Sequence, residues 1–363
     1  MTVMRCAVTA AALVVSSHAA AQASSPQAPQ LPPAIQAKMN LGQAGLMRSF
    51  FENDQFGSVQ WRIGQGRTTV GTATAPGAPT TGYADGTTDV IVPLSFMHML
   101  PDGRSDLLFS LRGTFANGDD NRVELDGEIM RFDLQYLRYP SANTMLGVGA
   151  FVEQTNLEIV GAGSIDHDGG GIRVDLLNKF GERWGVAARA EYSWGDTTTQ
   201  VAVGPGLKLR HAQGDDRFYT QAEVIGTFHH QDLGVAPEGW ALHPILGVQY
   251  QRNFLEETAD SFGEVSSGVV GDTEDYGTLW GHLRLEKEIR PGSASPNLLL
   301  GIEHEYVNDL DLFVDERTYA VLGAGVSMTL EKGSRLELSY TRHQGLQDNR
   351  SNQALAAIMS WNF

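Results

Sequence analysis

Cysteine occurs once in the 363 residues, at Cys6. The chain beyond that point lacks a thiol, which excludes internal disulfides and thiolate catalysis there. Cationic side chains are also scarce, with 26 Lys and Arg against 43 Asp and Glu and a net charge of −17. Such a surface repels a phosphate backbone, so nucleic acid is excluded as a partner. After residue 23 no uninterrupted apolar run approaches the roughly 18 residues of a spanning helix, so a helical transmembrane segment is excluded as well.

Glycine is abundant, at 41 residues, and the apolar share is 42%. The opening "MTVMRCAVTAAALVVSSHAAAQA" carries one basic residue, Arg5, then an apolar run from Cys6 to Val15, and closes on Ala21-Gln22-Ala23. That order predicts a secretory signal peptide over 1–23, with a small-x-small cleavage site. Cys6 lies too early in it, and is too poorly preceded, for lipoprotein acylation. Residues 24–56 read as a leader, Pro-rich in "SSPQAPQLPP". Ile35, Met39, Leu46, Met47 and Phe50 fall on one stripe of a short helix, which Gly42 and Gly45 weaken. A periplasmic leader and a plug inside a lumen are both open for it. Residues 64–88 form a low-complexity stretch with no periodicity of its own.

From Asp89 onward the chain breaks into alternating segments of about ten residues, separated by turn residues. In "GEIMRFDLQYLRY", Met130, Phe132, Leu134 and Tyr136 oppose Arg131, Asp133 and Gln135. "SDLLFSLRGTF", "WGVAARAEYSW", "LLLGIEHEY" and "RLELSYT" repeat the scheme. A soluble antiparallel sheet also alternates. Three further features favour a membrane barrel: hairpins that follow one another without helical pattern, Tyr and Trp near segment ends, and the secretory signal. The expected fold is all-β, a closed antiparallel transmembrane β-barrel over 57–363 of about 14 strands (12–16), with a short N-terminal extension.

"PDGR", "YPSAN", "KFGER" and "AQGDD" read as short periplasmic turns, as do "RPGSASP" and "EKGS", but the two sets are out of phase by one strand. A further strand between Glu256 and Asp272, with another at "GSVQWRIG" (57–64), would restore the phase, and so would a different division of the segments.

The last hairpins, "VLGAGVSMTLEKGSRLELSYTRHQGLQDNRSNQALAAIMSWNF", pair alternating strands around a short charged turn and end on aromatic-x-aromatic. Over about these 45 residues the chain resembles autotransporter β-domains of bacterial outer membranes. The resemblance implies that the terminal strand is the signal read by the barrel-assembly machinery, a role falling on Tyr340, Trp361 and Phe363. It also implies a translocator barrel as an alternative function. The residues ahead of the barrel are too few for the usual repetitive passenger.

If the apolar row faces lipid, the polar row faces the lumen. Early strands place Arg112, Arg131, Asp133, Arg173, Asp175, Arg189, Glu191, Lys208 and Arg210 there. Late strands place Arg284, Glu286, Glu288, Glu303, Glu305 and Glu337 there, with His282. Two readings are open: a constriction with basic and acidic walls that orients solutes, or cross-strand ion pairs that stiffen the barrel.

Asp166, Asp168, Asp272 and Asp275 lie in acidic connections whose oxygens suit Ca²⁺, although none fits an EF-hand loop. Asp166-His167-Asp168 and His229-His230 are the candidates for a lipid- or peptide-hydrolysing site, and His229-His230 followed by Asp232 is also open to a metal, although vicinal histidines at a strand end more often face solvent. Their surroundings match neither hydrolase class, so enzymatic activity is not expected, nor any cofactor. The expected function is a channel for small polar solutes or ions in the bacterial outer membrane. Its expected partners are outer-membrane lipid, the assembly machinery and the solutes themselves.

Overall fold

The computed structural model describes residues 31–43 and 87–362, apart from 121–122, 160–162, 267–271, 289–291, 310–315, 331–333 and 348–350. The predicted signal segment, the strand candidate at 57–64 and Phe363 lie outside the described residues.

Helix α1 (Pro33–Gln43) precedes a meander of antiparallel strands: β1 (Thr87–Met99), β2 (Ser105–Asp120), β3 (Val123–Ser141), β4 (Thr144–Ile159), β5 (Gly163–Phe180), β6 (Trp184–Gly204) and β7 (Leu207–Gly226). A two-residue strand β8 (Phe228–His229) and a one-turn helix α2 (His230–Leu233) lead into β9 (Trp240–Leu255), which pairs with β7. A small separate hairpin, β10 (Thr258–Ala259) and β11 (Val265–Ser266), stands between β9 and β12 (Thr273–Lys287). The meander then continues through β13 (Ala294–Asn308), β14 (Thr318–Thr329), β15 (Arg335–Gly345) and β16 (Ser351–Asn362).

β12 pairs with β9, and β16 pairs with β1, so the sheet closes into a barrel of 13 strands with β8 as a short extra strand. The number lies inside the expected range. An odd count has a geometric consequence: an up-and-down meander that closes on itself brings its first and last strands together in the same direction. The β1–β16 pair is accordingly parallel, running from Thr87↔Asn352 to Met97↔Asn362. Pro93 of β1 falls in a gap of that register, between Ile91↔Ala356 and Leu94↔Met359. Proline has no N–H to give a ladder and is tolerated where pairing is interrupted. Phe96 stacks on Trp361 across the seam, at 4.8 Å and 7°.

The phase problem of the turns resolves by losing a strand. "AQGDD" (212–216) is not a turn but lies inside β7, where Asp215 is buried. The segments expected at 201–211 and 217–230 are therefore not two strands. The first spans the tight turn at Gly206 (φ 74), where β6 meets β7. With that correction the connections β1–β2, β3–β4, β5–β6, β7–β9, β12–β13 and β14–β15 all fall at one end. The residues between Glu256 and Asp272 contribute the β10–β11 hairpin rather than a barrel strand.

Alternation divides the wall into two faces. Phe132, Leu134 and Tyr136 are exposed while Arg131, Asp133 and Gln135 between them are buried. Val148, Val152, Ile172, Val174, Leu246, Leu298, Leu300 and Ile302 extend the same outward apolar belt. On β6 the belt runs from Trp184 to Trp194. About ten residues at ~3.3 Å each, tilted ~40°, rise roughly 25 Å, the height of a barrel's lipid-facing band. Among the described residues no helix is long and apolar enough to cross a membrane.

Glycines let bulky side chains lie flat on the wall. Gly247 of β9 stands opposite Trp280 of β12, and a Cβ at Gly247 would come within 2.0 Å of the indole. We expect Gly247→Val to overpack this contact and cost about 2 kcal/mol. Urea unfolding followed by heat-modifiable gel migration checks it, and an unchanged midpoint would contradict the packing described.

Candidate functional site: a charged and plugged lumen

Helix α1 begins on Pro33, whose fixed φ suits the first helical position. Ala34, Ala37 and Leu41, spaced three and four apart, are fully buried. They belong to one buried cluster with Leu108, Leu137, Tyr139, Met145, Leu177, Ala187, Ile225, Ile245 and Trp280, inward side chains of β2 to β7, β9 and β12. The helix touches β3, β4 and β5 directly, and the cluster it joins draws inward side chains from across the ring, which places it inside the barrel.

Polar contacts fix its height at the end with the short connections. Ala34 N–H donates to the Gly103 carbonyl at 3.1 Å, and Asn40 Nδ2 to the Ala142 carbonyl at 3.2 Å. Lys38 Nζ meets Asp106 at 2.8 Å, and Tyr139 donates to the same carboxylate at 2.9 Å. Of the expected stripe, Ile35 and Met39 do not mark the buried face, since Met39 is exposed, and Leu46, Met47 and Phe50 lie outside the described residues. Inside the barrel the helix turns Ala34 and Ala37, together with Leu41, toward the wall, and the two alanines allow close approach.

Above the helix the lumen is ionic. Arg131 donates from Nε and Nη2 to Asp133, at 3.0 and 2.9 Å, and from Nη1 and Nη2 to Glu191, both at 2.9 Å. Arg173 binds Asp175 through Nε and Nη2 and reaches Asp133 at 2.7 Å. Arg189 adds Asp175 at 3.0 Å. Charges thus alternate along a continuous ladder, Glu191–Arg131–Asp133–Arg173–Asp175–Arg189. A second branch joins Arg217 to Glu153 at 2.8 Å, and the Arg131 guanidinium lies 3.7 Å over the Phe151 ring.

The facing wall carries its own pairs: Arg284 with Glu286 and Glu337, Arg335 with Glu337, and Glu303 between His282 and His343 at 3.4 and 3.3 Å. Tyr276 donates to Glu305 at 2.8 Å. One local pattern recurs. Arg131-x-Asp133, Arg173-x-Asp175, Arg189-x-Glu191, Arg284-x-Glu286 and Arg335-x-Glu337 each put a base and an acid two residues apart on the inner row. Arg131–Asp133 and Arg173–Asp175 are bidentate, the geometry of the strongest charge-assisted bonds.

The remaining candidates fall elsewhere. Arg112 is half-buried on β2, opposite Arg131 in register. Lys208 and Arg210 are exposed on the outer part of the β6–β7 hairpin, beyond the ladder. Lys208 lines a cavity of about 1100 Å³ at that end, with Asp126, Glu128, Glu158 and Asp166. Glu288 is exposed at the opposite end, 3.2 Å from His229. Lys38, Asp106, Glu153, Asp215, Arg217, Arg335 and His343 belong to the inner network without having been singled out. Their signal was parity on the strand, blurred by apolar neighbours such as Phe151 on the same row.

The acidic connections are not gathered into a cation site. His167 turns inward, 3.0 Å from the Thr197 hydroxyl, while Asp168 is exposed. Asp272 is exposed, and Asp275 receives both Nε and Nη2 of Arg252 at 2.7 Å. Among the described residues no group of three His, Cys, Asp or Glu is placed to hold a metal. His230 Nδ1 lies 2.7 Å from the Ala236 carbonyl, and Asp232 pairs with Arg183 at 2.6 Å. Tyr340 is exposed on the outer face and bonds Gln353 at 3.0 Å, near the seam where Trp361 stacks.

The family model described as the autotransporter beta-domain matches residues 109–341. Among solved structures, the translocator domain of the autotransporter NalP from Neisseria meningitidis is 13% identical, covering 82% of this chain and 93% of that one, with a TM-score of 0.50. The β domain of the Bordetella autotransporter BrkA is 18% identical, over 69% of this chain and 94% of that one, with a TM-score of 0.47. No curated protein matches the chain.

Removing one member of the ladder leaves buried charges uncompensated, which costs about 3–5 kcal/mol. We expect Arg131→Met to lose that much in urea unfolding. The triple variant with Asp133→Leu and Glu191→Leu should recover most of it. A loss below about 1 kcal/mol in the single variant would show that the ladder is not structural.

Proposed function

The chain belongs to the autotransporter β-domain family, and from that premise we propose that it is a translocator-type barrel of the bacterial outer membrane, closed at rest by its own helix α1. The observation that carries this reading is the seating of α1. Ala34, Ala37 and Leu41 are fully buried among inward side chains, and Lys38 is paired with Asp106. A channel that passes small solutes continuously needs a water-filled path, whereas here the segment preceding the barrel fills the lumen at one end. The paired inner charges point the same way. Arginines committed to two carboxylates each have little capacity to bind and release passing ions.

The same reading makes the barrel a conduit for chain rather than a catalyst. His167, His229 and His230 all have polar partners within the fold. It also gives the terminal strand a part in assembly. Trp361 stacks on Phe96 of β1 once the ring is closed, so the aromatic face offered to the assembly machinery becomes part of the seam.

Planar-bilayer recording tests the closed state. The intact protein should show little steady conductance, and Ala37→Asp with Leu41→Asp should raise it several-fold by unseating the helix. A large steady conductance in the intact protein, unchanged by the double substitution, would overturn this reading and restore the solute channel.

A further inference from the structure

Five of the six connections at the α1 end are short; the sixth, β7–β9 (residues 227–239), is an ordered extension. Asp232 accepts the His229 N–H at 2.8 Å, and Gly234 (φ 68) closes α2 by donating to the His230 carbonyl at 2.8 Å. Arg183, in the β5–β6 turn, donates to Asp232, which holds that carboxyl below its ordinary range and raises the guanidinium. On the other side the Glu288 N–H donates to the Gly239 carbonyl at 2.9 Å, and His229 lies 3.2 Å from Glu288. Thr227 N–H adds a bond to the Arg183 carbonyl at 2.8 Å. The segment is therefore tied sideways to its neighbours, along the rim of the barrel.

What this scaffold presents is apolar. Leu233 is 50% exposed and Val235 is 74% exposed, on either side of Gly234. Both stand bare on the ordered connection that starts at Phe228. Phe228 packs edge-on against Trp184 at 5.5 Å, beside Gly226 and Pro244 on the outer face, and Phe180 is exposed on the same rim. A pair of bare aliphatic side chains on an ordered connection, whose first residue Phe228 joins the outer-face aromatics, fits the boundary between headgroups and acyl chains. The charges beside it are already engaged, Arg183 with Asp232 and His229 with Glu288, so the patch offers its apolar side chains.

We propose that residues 228–240 form a membrane foot, with Leu233 and Val235 entering the phospholipid leaflet on the side of the short turns. The proposal rests on the barrel's spanning a membrane. The foot braces the rim against the bilayer where β7, β8 and β9 meet, beside the bound α1.

Single-cysteine variants test it, in a Cys6→Ser background if that residue is retained. An environment-sensitive fluorophore is attached at Val235→Cys, at Leu246→Cys in the mid-belt and at Glu264→Cys in the β10–β11 hairpin. The protein is reconstituted alone into vesicles of phosphatidylethanolamine and phosphatidylglycerol. The Val235 label should be quenched by headgroup-proximal spin-labelled lipid and shielded at least several-fold from aqueous iodide, relative to the Glu264 label. Free iodide access with no quenching by lipid at position 235, while position 246 is quenched by lipid, would overturn the foot and leave the patch as a face for a protein. Failure at position 246 would instead overturn the spanning barrel itself.

Discussion

Everything in this structure follows from one requirement: backbone N–H and C=O groups facing lipid must find partners within the protein. A sheet can satisfy it only by closing. Here closure falls between β1 and β16, and with 13 strands the two must run parallel. The seam is interrupted once along its length. It contains Pro93, which gives no N–H, and the register passes over Val92 and Pro93. Beyond the gap the register resumes, and the Phe96–Trp361 stack adds side-chain contact there.

Closure in turn creates an interior that the outward apolar belt cannot fill. Side chains alternate, so each strand that offers Leu or Val to lipid offers another row to the lumen. Buried charges there must be paired, and the Arg-x-acid repeats do this first within a strand and then between strands. At the end with short connections the inner row becomes apolar, and α1 packs on it through two alanines and a leucine. Ladder and helix thus both occupy the interior that closure creates.

Much of the wall was legible in the sequence, because a period of two is a local property. The hairpin pattern, the outward belt and most inward charges can be read without knowing which strand meets which. The strand count failed at "AQGDD", whose composition is that of a turn while its residues continue β7. Asp215 is accommodated there because Thr197 donates to it from the neighbouring strand. Lys208 and Arg210 have strand-like spacing, yet they stand where the β6–β7 hairpin has left the ladder behind. The partners of each charge were not legible, since Arg131 and Glu191 are brought together only by the curvature of the ring. The face of α1 was misjudged for the same reason: a stripe of large residues marks a helix packing on an open surface, and this helix packs inside a narrow one.

The closing pair is the most direct test. Ser95 and Ser360 stand opposite each other in the parallel register, where neighbouring strands lie about 4.8 Å apart. That separation falls within the range a disulfide spans. Ser95→Cys with Ser360→Cys should cross-link on mild oxidation of the folded, membrane-inserted protein. Absence of the cross-link in barrels that are otherwise heat-modifiable, with efficient cross-linking of Leu336→Cys to Met359→Cys as the antiparallel control, would contradict closure by β1 and β16 and require another strand between them.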